Sequence, residues 1–345
     1  MNLLKKKSVW FGALLLLVLG GATLFIIYKE LNGNDIAGTL RHADPRWVTA
    51  AVAAMILYSI ADGLNIRRCL RLTGYEVSIP QMMKYAFAGF FFSSITPSSS
   101  GGQPGQLYFM YRDKIKLSHG TFSLLCAFLS YQIMAVVWGI IGLIFTPKGI
   151  MSLGGKFSYV FPIGFAINLV TIAILISILF SRRMTIMFAY IALRFNRKNK
   201  NPGSKNEIMR FFARYRKAAG LMNSNKRVFV KILLTSFVQM SLFHSVPYLC
   251  ARALGCDSFG WFTGVCTQGA LFLSVSSLPL PGAAGVTEYG FALFFADLIP
   301  KHLMGSTMIL SRFCSFLFPL IVSGSQLLLL QLSANTRRPI RKASR

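Results

Sequence analysis

Acidic side chains are scarce: this 345-residue chain has 10 Asp and Glu against 37 Lys and Arg, and charge of both signs reaches only 14%. A water-facing surface needs more charge with the two signs interspersed, which excludes a soluble domain. Histidine is limited to positions 42, 119, 244 and 302, too far apart to make a metal-ligand pattern. The six cysteines (69, 126, 250, 256, 266 and 314) contain no CxxC spacing, and most sit in apolar stretches, as small core residues do. No His–acid motif and no sited cysteine supplies a base or nucleophile for catalysis. Neither a metal nor a cofactor is expected. What the chain has is apolar surface, 54% of its residues, in long uncharged runs of Leu, Phe and Ile. Disorder requires low hydrophobicity. A nucleic-acid binder could carry the net charge of +27, but not those runs with it. The composition predicts an all-α polytopic membrane protein.

The spans follow from the charges that stop them. Lys5, Lys6 and Lys7 precede an uncharged run from Ser8 to Tyr28, long enough to cross a bilayer and too long for a signal peptide, so it reads as a signal anchor. Trp47–Ile66 ends in Arg67, Arg68 and Arg71. Its one acid, Asp62, is placed near the inner end as an interfacial residue beside Arg67 or Arg68. Met82–Thr96 is shorter, stopped by Pro97, and returns through Leu107–Tyr111. Spans follow at His119–Phe145, Phe157–Phe180 and Ile232–Ala251. Phe262–Leu278 is again short and stopped by Pro279, with a return arm at Val286–Ile299, before a last span at Met304–Leu332. The sum is about six full spans and two broken hairpins.

Residues 182–231 hold 14 Lys and Arg and one acid, Glu207. Ile208, Phe211, Phe212, Tyr215, Ala219 and Met222 fall on one helical face, and Arg210, Arg214 and Lys217 on another. Ser204 and Glu207 have capping-box spacing. The stretch reads as a cytoplasmic interfacial helix whose Arg210, Arg214 and Lys217 contact anionic lipid; a solvated loop is the alternative.

Charge bias orients the chain. With the N-terminus inside and both hairpins returning to the side they left, 29 of the 37 Lys and Arg lie inside and 7 outside, with Arg312 within the last span. The second half then repeats the first upside down: residues 1–146 form one membrane repeat, 147–336 the second, and 337–345 a basic cytoplasmic tail, all in one membrane domain. Setting Pro97 on Pro279 brings Gly101-Gly102 onto Ala283-Ala284 and Gln106 onto Glu288. Paired Gly/Pro-interrupted segments in two inverted halves point to a transporter's substrate site. The short arms should end inside the membrane, where irregular backbone must be shielded or line water. Thr96, Ser98, Ser99, Ser100, Gly101, Gly102 and Gln103, with Pro104 in the first turn of the next helix, offer hydroxyls and N–H groups to an anion. Pro281, Gly282, Gly285 and Thr287 do so from the other side. Close helix packing is the other use of such glycines. Glu288 and Arg312, charged within apolar segments, are read either as a structural ion pair or as partners of a substrate's cationic and phosphate groups.

The motif Ile95-Thr96-Pro97-Ser98-x-x-Gly101-Gly102-Gln103-Pro104-x-Gln106-x-Tyr108, with Pro279-x-Pro281-Gly282-x-x-Gly285-Val286-x-Glu288 further on, resembles the lysylphosphatidylglycerol synthase transmembrane-region family, the membrane half of the multiple peptide resistance factor. The resemblance covers nearly the whole chain. It implies a multi-pass, lipid-translocating protein of a bacterial cell membrane with both termini cytoplasmic, and adds Gln106 and Tyr108 to the substrate-binding residues. Gln103 stands where many members carry an acid. Full-length members add a soluble aminoacyl-transferase domain, which is not expected in a chain that ends thirteen residues after Leu332. The expected function is a flippase for a phospholipid, aminoacyl-phospholipid or related lipid. The alternatives are a proton-coupled transporter of a small anion or amino acid, and a lysylphosphatidylglycerol-synthesis protein working with a separate synthase. Expected partners are membrane lipids, a separate lipid-modifying enzyme and a second copy of the chain, and not nucleic acid.

Overall fold

A computed structural model describes residues 36–96, 99–146, 159–195, 202–276 and 286–332. The expected span at Ser8–Tyr28, Pro97 and Ser98, the second loop with Pro281, Gly282 and Gly285, and the basic tail lie outside the described residues.

Among the described residues the regular structure is helical: α1 Ile36–Arg41, α2 Pro45–Leu72, α3 Ile79–Ser94, α4 Gly102–Arg112, α5 Leu117–Phe145, α6 Val160–Phe180, α7 Arg182–Phe195, α8 Pro202–Ser224, α9 Lys226–Ala253, α10 Trp261–Val275, α11 Val286–Phe294, α12 Lys301–Arg312, a π-helical turn at Phe313–Leu317, and α13 Phe318–Leu332. Among the described residues, five helical stretches are long and apolar enough to cross a membrane: Pro45–Leu72, Leu117–Phe145, Phe161–Phe180, Lys226–Ala253 and Lys301–Leu329. Ile56, Leu57, Ile144, Ile163, Val170, Leu234 and Ile321 are exposed on their outer faces. Such a girdle would be a liability in water and is ordinary against lipid tails.

The helices run past the boundaries that charge suggested. α2 continues six residues beyond Ile66 and α9 begins at Lys226 instead of Ile232. Arg68 explains both extensions, since its guanidinium donates to Asn65 Oδ1 (3.2 Å), to the Lys231 carbonyl (3.1 Å) and to Thr235. A charge whose donors are taken up by the neighbouring helix need not mark a helix end. The capping box is likewise displaced: α8 begins at Pro202, so Ser204 lies inside it.

Close approaches set the packing. Gly142 meets the Cys266 carbonyl, and a Cβ on Gly164 would stand 2.5 Å from the Leu273 carbonyl. α10 is thereby enclosed by α5 and α6, and Gly264 through Leu271, with Leu273 and Ser274, are buried. Asn168 of α6 fastens the same junction, donating to Leu273 O (3.5 Å) while its Oδ1 accepts from Gln132 (3.2 Å). α2 and α9 form the most extensive helix pair. Asn65 donates to Ser236 Oγ (2.9 Å), and Ser236 in turn shares a hydrogen bond with Ser130 Oγ (2.8 Å), tying α2, α9 and α5 together. α8 packs Tyr215, Ala218, Ala219 and Met222 against Phe122, Leu175 and Leu179 of the bundle, while Ile208, Phe211 and Phe212 of the expected apolar face are half-buried. Burial raises the Tyr215 phenol above its ordinary range, so it stays a neutral donor to the Ile178 carbonyl (3.2 Å).

Replacing Gly142 by Ala drives a methyl into backbone that cannot swing aside, with an expected loss of about 1–3 kcal/mol. Gly220, on exposed α8 with nothing near its missing Cβ, should gain roughly 0.5–1 kcal/mol on the same change. Thermal unfolding in detergent checks the pair; equal shifts would mean that α5 and α10 do not depend on that contact.

Candidate functional site

The first hairpin is an antiparallel zipper. Gly101 packs on Thr96 and Phe92, Gly105 on Phe92, and Gln106 on Gly89, so one index rises as the other falls. A Cβ on Gly101 would lie 2.9 Å from Phe92 O, and one on Gly102 would lie 3.0 Å from Gly89 O. These glycines therefore serve close packing of α3 on α4. Thr96 Oγ1 is also occupied: it donates to Phe92 O (2.6 Å) and accepts from Gly101 N (2.8 Å), closing the loop. Ser99 takes a left-handed φ of 53°, and both Ser99 and Ser100 are exposed. Gln103 is half-buried. Tyr108 is exposed, with the Arg112 guanidinium over its ring at 5.7 Å, so it faces outward and not toward Gln106.

Gln106 is buried and leads to a polar cluster that the sequence reading placed elsewhere. The Asp62 carboxyl group interacts with the side-chain amides of Gln106 and Gln239, and Tyr58 interacts with Tyr131, Gln239 and Asp62. Asp62 is thus not an interfacial partner of Arg67 or Arg68. Ten further residues of α2 follow it, and it is half-buried, facing groups of α2, α4, α5 and α9. Among the described residues no ion pair includes it. Gln239 is 2% exposed, and its Oε1 has no hydrogen-bond partner. The signal available in the sequence was a lone acid within an apolar span, a costly placement that is usually functional. His244, 0% exposed, is packed among Trp138, Phe243 and Phe272.

On the second hairpin, Glu288 lies in the first turn of α11 and is buried. Arg312 Nε donates to Glu288 Oε1 at 2.6 Å, and Nη2 is also 2.6 Å from that oxygen without the alignment of a hydrogen bond. The pair weighed from the sequence is therefore present. Its context was not legible there: Arg312 is the last α-helical residue before the π turn. π turns widen a helix locally and recur at functional sites. Thr287, beside Glu288, is half-buried. An open apolar groove of about 410 Å³ adjoins this region, lined by Leu40, Ala43, Val48, Ile309, Leu310 and Phe313. Arg210 and Lys217 are exposed and Arg214 is half-buried, all remote in sequence and on α8.

Two hairpins of short helices, each delivering a polar residue into an apolar bundle, are the geometry of a polytopic membrane protein with an internal polar site. The profile of the lysylphosphatidylglycerol synthase TM region matches residues 9–323, and the chain belongs to that family. It is also similar to a UPF0104 membrane protein of Archaeoglobus fulgidus, 24% identical over 302 residues, covering 86% of this chain and 90% of that protein.

Removing one partner of a buried ion pair leaves the other uncompensated, at a cost of about 3–5 kcal/mol. Glu288→Gln and Arg312→Met should each lower thermal stability in detergent, while the double variant should recover most of the loss. Additive losses would show that the two side chains hold other partners instead.

Proposed function

We propose that this protein translocates a lipid, its headgroup passing through polar groups inside the bundle while the tails remain in the bilayer. The supporting observation is the placement of ionisable side chains where lipid-facing helices cannot tolerate them: Asp62 with Gln106 at the first hairpin, and Glu288 with Arg312 at the second. On this reading Arg312 engages the lipid phosphate, Glu288 a cationic group, and the apolar groove beside Phe313 an acyl chain. Membership of a family named for lysylphosphatidylglycerol synthesis favours a phospholipid or aminoacyl-phospholipid as substrate. A separate lipid-modifying enzyme and a second copy of the chain are the partners in this proposal.

The inverted repeat belongs to the same proposal. α5 packs on α10, the first arm of the second hairpin; α13 packs on α3, the first arm of the first. Cys126 of α5 meets Cys69 of α2, and Cys314 of the π turn meets Cys250 of α9. Matching helices making matching contacts is what two related halves would do. The charge bias supports termini on the cytoplasmic side of a cell membrane.

Proton-coupled transport of a small anion or amino acid is the second reading, favoured by Asp62 having no ion pair among the described residues. An accessibility assay for labelled headgroups in reconstituted liposomes decides between them. Wild-type protein should expose labelled lipid, and Arg312→Ala should lower the rate far more than Arg210→Ala. Solute uptake that needs a pH gradient and vanishes in Asp62→Asn, with no lipid movement, would replace the first reading by the second.

A further inference from the structure

The apolar face of α8 is largely taken up inside the protein, where Tyr215, Ala218, Ala219 and Met222 meet Phe122, Leu175 and Leu179. What α8 leaves exposed is mostly polar, including Lys205, Asn206, Glu207, Arg210, Lys217 and Asn223. α7 divides the other way. Thr185 and Ala189 are buried where it packs on α8, while Ile186 (58% exposed), Met187 (43%), Tyr190 (63%) and Ile191 (38%) stand outside. These four share one helical face, opposite the buried pair. No acid occurs in α7, and its cations sit at its ends: Arg182 and Arg183 in the first turn and Arg194 in the last, all exposed. Arg183, Met187, Tyr190 and Arg194 follow one another at helical spacing, so the apolar stripe is closed by a guanidinium at each end.

The start of α7 is fixed relative to a span. Ser181 alone separates it from α6. The Ser181 backbone is extended (φ −77°, ψ 125°), which ends α6. Its hydroxyl accepts from Met184 N (3.4 Å), and its carbonyl accepts from Thr185 N (3.2 Å) and Thr185 Oγ1 (3.1 Å), which caps α7. α6 has 21 residues, about 31 Å of helix against a hydrocarbon core of about 30 Å, so Ser181 falls at the edge of that core. α7 has 14 residues, roughly 21 Å, too short to cross. Arg183 and Arg194 lie roughly 16 Å apart along its axis. With α7 in the plane of the leaflet, both guanidiniums reach headgroup depth and the apolar side chains between them enter the acyl boundary. Upright, the helix would carry Tyr190 and Ile191 into water.

An acid-free helix with an apolar stripe between arginines complements an anionic lipid surface, which attracts the charges and buries the stripe. We propose that α7 is an in-plane anchor: Ile186, Met187, Tyr190 and Ile191 enter the acyl boundary of the cytoplasmic leaflet, and Arg182, Arg183 and Arg194 hold the headgroups of anionic phospholipids. α8 joins this anchor to the bundle and turns Arg210 and Lys217 to water. The anchor rests on the membrane reading of the chain and not on lipid translocation, and it lies on a different helix from Asp62 and from the Glu288–Arg312 pair.

Spin labelling of the full chain in bilayers of phosphatidylcholine with a minority of phosphatidylglycerol tests the depth of α7. The six native cysteines are buried, which leaves an introduced cysteine as the labelled one. Labels at Met187→Cys and Tyr190→Cys should be relaxed by oxygen in preference to a water-soluble nickel complex, and labels at Arg210→Cys and Ala213→Cys by nickel in preference to oxygen. Nickel access on α7 equal to that on α8 overturns the proposal. Protection of both α7 positions from both reagents overturns it too, by assigning the face to a second copy of the chain or another protein. Native mass spectrometry from nanodiscs of the same lipids tests the headgroups. Wild-type protein should retain phosphatidylglycerol over phosphatidylcholine, and Arg182→Gln/Arg183→Gln/Arg194→Gln should cut that preference on the order of tenfold. Arg210→Gln/Lys217→Gln should leave it intact. An unchanged preference in the triple variant overturns the proposal, as does an equal loss in the α8 pair. If the triple variant does not fold, Arg194→Gln alone should cost about twofold, and no loss there overturns the proposal. Neither readout involves transport, so failure here and failure of translocation are distinguishable.

Discussion

A bilayer core offers no water, so each backbone group and each charge inside it must find its partner within the protein. Most of the architecture answers to that one constraint. Hydroxyls along the spans turn back on their own helices: Ser59 donates to Met55 O, Ser241 to Phe237 O, Ser245 to Ser241 O and Ser274 to Ala270 O. Other polar groups are met by the next helix, as Asn65 is by Ser236 and the Asn168 Oδ1 by Gln132. Glycines then bring helices close enough for such bonds, and this is the use the fold makes of Gly101, Gly102, Gly142 and Gly164.

The same constraint decides how much could be read from the sequence. The helical class, the short paired arms and the buried Glu288–Arg312 pair were legible, because apolar run length and charge scarcity carry them directly. Helix ends were less so. Arg67 and Arg68 suggested a boundary after Ile66, which put Asp62 one turn from the interface. Arg68 instead spends its donors on Asn65, Thr235 and the Lys231 carbonyl, and α2 continues to Leu72. Six residues of misplaced helix end moved Asp62 from the polar groups of Gln106 and Gln239 to the rim. The loop glycines were ambiguous for another reason: close packing and anion binding need the same absent Cβ, and only the partner atoms tell them apart. The π turn after Arg312 has no sequence signature at all.

Scarcity of acid organises the charges of the protein. Ten carboxylates cannot neutralise 37 cations, and four of the described ones are spent in particular places. Asp44 accepts from Arg46 N at the start of α2 (2.8 Å), Asp113 holds Lys84 and Tyr85 between α3 and α4, Asp257 holds Arg252, and Glu288 holds Arg312. Each fastens a helix end or an interior polar site. On α8 the acid Glu207 stands against Lys205, Arg210, Arg214, Arg216 and Lys217, so the helix carries a net positive field. Interior and exterior electrostatics thus divide: Glu288 is placed where the charge of Arg312 would otherwise be intolerable, and the surplus of cations is carried on outer elements such as α8.

The π turn shows how the interior division can coexist with movement. A π segment replaces i→i−4 bonds by wider i→i−5 ones, leaving a local surplus of loosely held backbone. It begins at Phe313, directly after the residue that holds Glu288, and α13 beyond it packs on α3 of the other hairpin. A shift of the last helix between π and α registers would turn Arg312 relative to Glu288 while α13 kept its seat on α3. Both Nε and Nη2 of Arg312 lie 2.6 Å from the same Glu288 oxygen, so such a turn would act on the pair directly. A phosphate that displaces Glu288 from Arg312 would bind at the point where the helix is most able to yield.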